Sequence, residues 1–222
     1  MAGVKRARRP EQKAARRQAI LKTAAELFDT TAVADLPMSR VAKEAGLAKG
    51  TLYLYFPTKE ALFLALLTAE LDGWFTSLES ALPSQASSPE VVADALVRSI
   101  SGRERLLRLL SLMNGVLEHN IDEDTAARFK MTVALHLLQT GPHLERALPG
   151  LPPGKGARLL LWLNAIVVGL WPLAHPAPAV AAALERPELQ PLRLDFIDEG
   201  KALILPLLRG LVSPGAAGPV DG

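Results

Sequence analysis

The sequence predicts an all-α protein, in which three short or medium helices and a long connector precede a larger helical bundle. Three observations carry this. Leu and Ala dominate the composition, whereas aromatic residues make up only 5% and β-branched ones are scarce, a bias toward helix over sheet. Apolar residues recur at helical spacing. Gly and Pro punctuate the chain at places where helices start and stop.

The elements follow in order. From Glu11 to Phe28, the apolar residues Ile20, Ala24, Leu27 and Phe28 obey the i, i+4, i+7, i+8 rule of one inward helix face. Pro37 pre-sets a new start, and a short helix from about Met38 to Ala45 ends at Gly46, a left-handed cap. A second short helix covers about Ala48 to Phe56 and stops before Pro57. Thr58 caps the long apolar helix that runs to about Ser80, with Glu60 favourably placed in its first turn. The turn-rich PSQASSP, residues 83–89, interrupts the chain, and Ser88 with Pro89 starts the next helix. Leu106, Leu110, Met113 and Leu117 mark the face of a further helix, and another runs from about Thr125 to Thr140. Gly141-Pro142 should break or kink it. PGLPPGKG, residues 149–156, reads as a loop, Leu159–Leu173 as a strongly apolar helix, and residues 172–191 as a Pro-rich stretch. The last helix, about Leu192 to Leu211, carries Pro206, which should bend or shorten it.

Composition excludes several function classes. The 222 residues contain no Cys, which rules out disulfides, thiolate catalysis and Cys-ligated zinc. The start MAGVKRARRP is followed by no apolar h-region, unlike a secretory signal. The most apolar run, Leu159 to Ala174, contains Asn164 and Pro172 and falls short of the ~20 residues a bilayer needs. The expectation is a soluble, cytoplasmic protein with no membrane partner. The net charge of +2 hides an asymmetry: residues 1–60 carry +6 and residues 61–222 carry −4. A basic head on a mildly acidic body points to a polyanion at one end, and the N-terminal run Lys5, Arg6, Arg8, Arg9 forms a basic arm.

Two short helices joined by a tight Gly-containing turn, after a longer helix, match a helix-turn-helix, whose second helix enters the DNA major groove. Within SRVAKEAGLAKGTLYLYF, residues 39–56, Val41, Ala42, Ala45, Leu47 and Leu52 face inward toward Leu27 and Phe28. Ser39, Arg40, Lys43, Lys49, Thr51, Tyr53, Leu54 and Tyr55 are left for the exterior, and Gly50 lets the backbone come close to a phosphate. Both tyrosines of the chain lie here.

AKEAGLAKGTLYLYFPTKEAL, residues 42–62, resembles the DNA-binding signature of the TetR family of bacterial transcription regulators. The motif resemblance covers roughly residues 20–67; the remainder is similar only in length, helical character and organisation. It implies an N-terminal DNA-binding domain over residues 1–57, a ligand-binding and dimerisation domain over 58–212, and a disordered tail over 213–222. It places Lys49, Thr51, Tyr53, Tyr55 and Lys59 where phosphates or base edges are contacted, with Ser39 and Arg40 on the preceding helix. Leu54 falls at a variable groove-facing position, able to touch a thymine methyl. Two positions depart from the pattern: Ala48 stands where a Ser often caps the recognition helix, and Leu36-Pro37 replaces the usual Thr-Thr.

Other groups are candidates for a small-molecule site in the body. Asn114, His136 and Asn164 sit within apolar helical segments near Met113, Phe129, Trp162 and Trp171, the composition of a pocket for a hydrophobic effector; core packing or, for Asn164, a dimer seam explains the same residues. Histidines lack the close spacing of a metal site, no G-x-S-x-G nucleophile motif occurs and PGKG is no P-loop, so no metal, cofactor or catalysis is expected. The last two long helices, with Ala165 and Gly169 four apart, suit a homodimer interface or burial within one subunit. The expected function is a homodimeric, ligand-responsive regulator of transcription, a repressor, that binds a palindromic double-stranded DNA operator. A protein of the same fold governed by a protein partner, with no effector, and an all-helical enzyme using His119 to Asp124 are the competing readings.

Overall fold

The computed structural model describes residues 4–212, with side chains from Pro10 onward, so the basic arm's side chains and the expected tail lie outside the described residues. It is all-α: α1 (Val4–Thr30), α2 (Met38–Glu44), α3 (Lys49–Tyr55), α4 (Lys59–Ala81), α5 (Pro89–Ile100), α6 (Glu104–Leu112), α7 (Glu123–Ala147), α8 (Lys155–Ala174), α9 (Pro178–Ala183) and α10 (Phe196–Val212). A π-type turn, Met113–Leu117, follows α6, and a 3₁₀ segment, Pro187–Leu192, precedes α10. No strand occurs among the described residues.

The chain forms two compact units. One comprises the residues up to Glu70 together with Leu112–Phe129; the other comprises Leu71–Ser111 and the residues from Lys130 onward. In the first, α1 lays Ile20, Leu21, Ala24, Ala25 and Phe28 into the core, where the Phe28 and Phe63 rings meet at 5.5 Å. Burying aromatic rings at this separation adds to their hydrophobic contribution. Val41 and Ala42 of α2 and Leu52 of α3 are fully or almost fully buried, whereas Ala45 and Leu47 are half-buried.

In the second unit, α10 packs on both α5 and α8, with Gly200, Ile204 and Leu208 of α10 buried. Ser88 accepts the Val91 N–H at 3.5 Å, with Pro89 at the first position, as expected for the α5 start. Polar ties hold α4: Trp74 Nε1 donates to Ser99 Oγ at 3.0 Å, Arg103 donates to Ser77 Oγ, and Thr140 Oγ1 donates to Glu79 at 2.7 Å. Asp122 and Asp195 cap α7 and α10, accepting N–H groups at 2.7 and 2.9 Å. The helices α4 and α8 are long and apolar enough to span a membrane, a test that core helices also pass.

One expectation about proline needs correction. Gly141-Pro142 does not break α7, which runs on to Ala147. Proline forfeits one helical hydrogen bond, about 3 kcal/mol in a helix interior, but the continuation buries Leu144, Ala147 and Leu148, each large apolar side chain contributing about 1.5–3 kcal/mol. Within the Pro-rich stretch, Pro178 and Pro187 each open a short helical segment. Pro206 lies inside α10, which is shorter than expected, running from Phe196, where Asp195 supplies the cap, to Val212.

Gly156, expected in a loop, instead lies in α8 at a close crossing with α7. A Cβ there would overlap the carbonyl oxygen of Gly141, and Glu145 accepts the Gly156 N–H at 2.9 Å. Gly156→Ala is expected to cost about 2 kcal/mol or more by overpacking, lowering the thermal midpoint by at least about 5 °C; differential scanning calorimetry checks this.

At the α5–α10 seam, Glu90 accepts from Arg209 Nε and Nη2 at 3.0 and 2.7 Å. The Ser88 hydroxyl, then Arg209, hold its carboxyl at about 2, below the usual 4.5. Asp94, bonded to Lys201 at 2.9 Å, and Asp122, bonded to the Thr125 N–H, are held low as well. A carboxylate lowered by folding stabilises fully above its unfolded value and loses that contribution as pH falls through its folded one. The thermal midpoint should therefore drop as pH falls from about 4.5 to 2, more shallowly in Glu90→Gln, and the difference should be small because solvent reaches these groups.

Candidate nucleic-acid interface

The interface is built by a short helix that cannot stand alone. Seven residues are too few for a stable isolated helix, so α3 takes its position from Leu52, fully buried, and from Phe56 just beyond it. Gly46, at φ +66°, turns the chain between α2 and α3, a conformation open to glycine at little cost. The turn closes with Gly46 N–H donating to Lys43 O at 3.0 Å and Leu47 N–H to Ala42 O at 2.8 Å. Ala48 at the N-cap of α3 makes no side-chain bond, as its methyl dictates. Thr58 caps α4, its Oγ1 accepting the Ala61 N–H at 3.0 Å.

With α3 pinned on its Leu52 side, the opposite side carries Lys49, Gly50, Tyr53 and Leu54, all exposed. Offsets of one, four and five residues keep these four on one stripe of the helix. The Lys49 ammonium lies 5.9 Å from the Tyr53 ring centroid, within cation–π range. Thr51 and Tyr55 flank the stripe, half-buried. On α2, Ser39, Arg40 and Lys43 are exposed, and Arg40 reaches Thr31 Oγ1 at 3.5 Å.

Lys59 stands apart. Its Nζ donates to Val33 O at 2.7 Å and Ala34 O at 3.3 Å, so two of its three donors clamp the loop that leads into α2. Leu36, in place of the expected hydroxyl, is fully buried and anchors that same loop. Arg17 was not singled out in the sequence, yet its guanidinium lies 4.9 Å from the Phe56 ring centroid. The signal for it was slight, a single cation in an Arg-rich helix.

Two residues of the stripe serve the fold poorly. Leu54 is 81% exposed, forgoing the roughly 1.5–3 kcal/mol that burying a leucine contributes. Gly50 has no positive φ, and a Cβ there would meet nothing within 4 Å, although glycine in a helix costs about 1 kcal/mol against alanine.

The proposed effector residues divide between the units. Met113 and Phe129 are buried and Asn114 is exposed in the first; His136, Trp162, Asn164 and Trp171 lie in the second. His136 Nε2 is 2.6 Å from Asp72 Oδ1, and its ring stacks on Phe75 at 4.5 Å. Trp171 is buried against His175 and the edge of Phe196. Trp162 and Asn164 are half-buried. No cluster of three metal-binding side chains occurs among the described residues.

Residues 20–66 match the family model described as bacterial regulatory proteins, tetR family, and residues 68–214 match the tetracyclin repressor-like C-terminal domain. The chain belongs to the TetR family. It is a DNA-binding transcription regulator with a helix-turn-helix head, as its motif resemblance implied. It is 35% identical over 75 residues to the HTH-type transcriptional regulator EthR of Mycolicibacterium smegmatis, a match spanning 34% of this chain and 35% of EthR. It is 28% identical over 144 residues to an HTH-type transcriptional regulator of Staphylococcus aureus, spanning 56% of this chain and 78% of that one. The multidrug binding protein EbrR, solved with imidazole, shares the fold at a TM-score of 0.56 and 19% identity, over 93% of this TetR-family chain and 97% of EbrR.

One side of α3 is buried and the other exposed. Leu52→Ala should cost about 2–5 kcal/mol and lower the thermal midpoint. Tyr53→Ala should leave the midpoint within about 1–2 °C, since exposed substitutions stay within roughly 0.5 kcal/mol, and weaken DNA binding; paired melting and gel-shift measurements check both.

Proposed function

We propose that this TetR-family regulator binds a palindromic double-stranded DNA operator as a homodimer, represses transcription, and is released by a hydrophobic small molecule. It acts in the cytoplasm without a membrane partner, cofactor or catalytic step. The observation that carries the reading is the exposed stripe of α3, Lys49, Gly50, Tyr53 and Leu54, opposite the buried Leu52. A helix held by one face and offering cationic and aromatic groups on the other suits a major groove. Ser39, Arg40 and Lys43 on α2, and Thr51, Tyr55 and the remaining donor of Lys59, add phosphate or base-edge contacts.

The head spans residues 1–57 and the effector and dimerisation body spans 58–212. Support for the dimer comes from α8 and α10, where Leu161, Ala165, Gly169 and Leu173 on one helix and Leu203 on the other are exposed. Ala165 and Gly169 permit close approach of a second copy. Support for the effector comes from EbrR, which is described as multidrug binding, and from the half-buried His136, Trp162 and Asn164. Within the second unit, Asp72 and Glu79 of α4 bond to His136 and Thr140 of α7. A ligand that prefers one arrangement of α7 on α4 shifts the position of the recognition helices.

Footprinting on DNA flanking its own gene should show two half-sites centred about 34–36 Å apart or a multiple of that. Lys49→Glu should weaken binding and reduce the slope of log affinity against log salt by about 1 or more. Unchanged binding in both Lys49→Glu and Tyr53→Ala would sink the placement. Strong specific thermal stabilisation by an apolar ligand supports the effector; its absence, with a protein partner captured on the operator complex, favours control by that partner.

A further inference from the structure

Within the second unit, α7 buries Thr140, Leu144 and Ala147 on one side and carries an apolar seam on the other. Met131, Leu135 and Leu138 are 64, 52 and 68% exposed, and the exposed Pro142 continues the line. By comparison α8 exposes Leu161 and Leu173, and α10 exposes Leu203, so α7 leaves as many large apolar side chains uncovered as those two helices together. The steps from Met131 to Leu135, Leu138 and Pro142 are four, three and four residues, the spacing of a coiled-coil seam. Between Lys130 and Arg146 the exposed residues of α7 are these four and Gln139, none of them charged.

Two properties of the seam select its occupant. It has no charge along its length, so it offers phosphates and anionic lipid headgroups no cation and a charged partner no counter-charge; a second copy meets it without like-charge repulsion. Its spacing also reads the same in both directions. A two-fold contact requires that one residue meet a second while the second meets the first. About an axis midway along the seam, Leu135 faces Leu138 of an antiparallel second copy, and Met131 faces Pro142. We propose that the seam is a self-contact of this chain, in which α7 of one copy packs antiparallel on α7 of another. It goes beyond the dimer proposed through α8 and α10, because it has an axis of its own. Two different two-fold contacts on one chain make a dimer of dimers, and one assembly then carries two pairs of DNA-binding heads.

The test uses the full chain. Sedimentation equilibrium over a concentration series should show the mass doubling from dimer to dimer of dimers, and Leu138→Glu should abolish that doubling. The melting curve of the variant should match the wild type, because the residue replaced is exposed. The chain has no Cys, so introduced cysteines report proximity cleanly. A mixture of Leu135→Cys and Leu138→Cys proteins should form the disulfide between the two variants in preference to either with itself, with Glu188→Cys setting the collisional background. No doubling, or equal doubling in Leu138→Glu, overturns the self-contact and leaves the regulator and its α8–α10 dimer standing. Doubling from monomer to dimer that is lost in Leu138→Glu and kept in Leu161→Glu supports the self-contact and overturns the α8–α10 dimer instead. Binding to phosphatidylcholine vesicles that Leu138→Glu loses, with no doubling, assigns the seam to a lipid surface and overturns the proposal.

Discussion

The burial of Leu52 is the constraint on which the interface depends. Helix α3 has seven residues, an N-cap without a side-chain bond, and no acid in its first turn to oppose its dipole. Left to itself such a segment would not be helical. Leu52 at full burial and Phe56 just beyond it fix both its rotation and its depth. Rotation then settles everything else: residues at i−3, i−2, i+1 and i+2 from Leu52 are turned outward. Two apolar side chains thus decide which four residues of α3 lie exposed.

The same economy governs α4. Its His136 and Thr140 partners are four residues apart on α7, and its own Asp72 and Glu79 are seven apart. Both spacings keep a bonded pair on one face of each helix, so the two bonds form or break together if one helix slides on the other. The glycine crossing of α7 and α8 at Gly141 and Gly156 sets α7 at backbone contact, where interiors resist gradual deformation.

What was legible in the sequence was whatever local chemistry decides. Gly46 as a left-handed turn, Ser88 and Pro89 at a helix start, Thr58 as a cap, and Leu52 as an inward residue all follow from one residue and its immediate neighbours. Gly141-Pro142 was misread because the rule for proline is local, whereas the burial of Leu144, Ala147 and Leu148 is not. Gly156 was hidden for the same reason, since nothing near it in sequence reveals that Gly141 lies against it. Lys59 was read as facing outward by resemblance, and only the fold shows two loop carbonyls taking its donors. Arg17 beside Phe56 had only a slight signal, one cation in an Arg-rich helix.

Three glycines show how the reason for a residue can be located inside or outside the chain. Gly46 is required by its backbone angle, and Gly156 by a neighbouring backbone. Each is explained once the fold is known, and replacing either damages the fold itself. Gly50 meets neither condition, and its cost to helix stability is uncompensated by anything the chain contains. The exposed Leu54 one turn later poses the same problem with the opposite chemistry, too much side chain where Gly50 has too little.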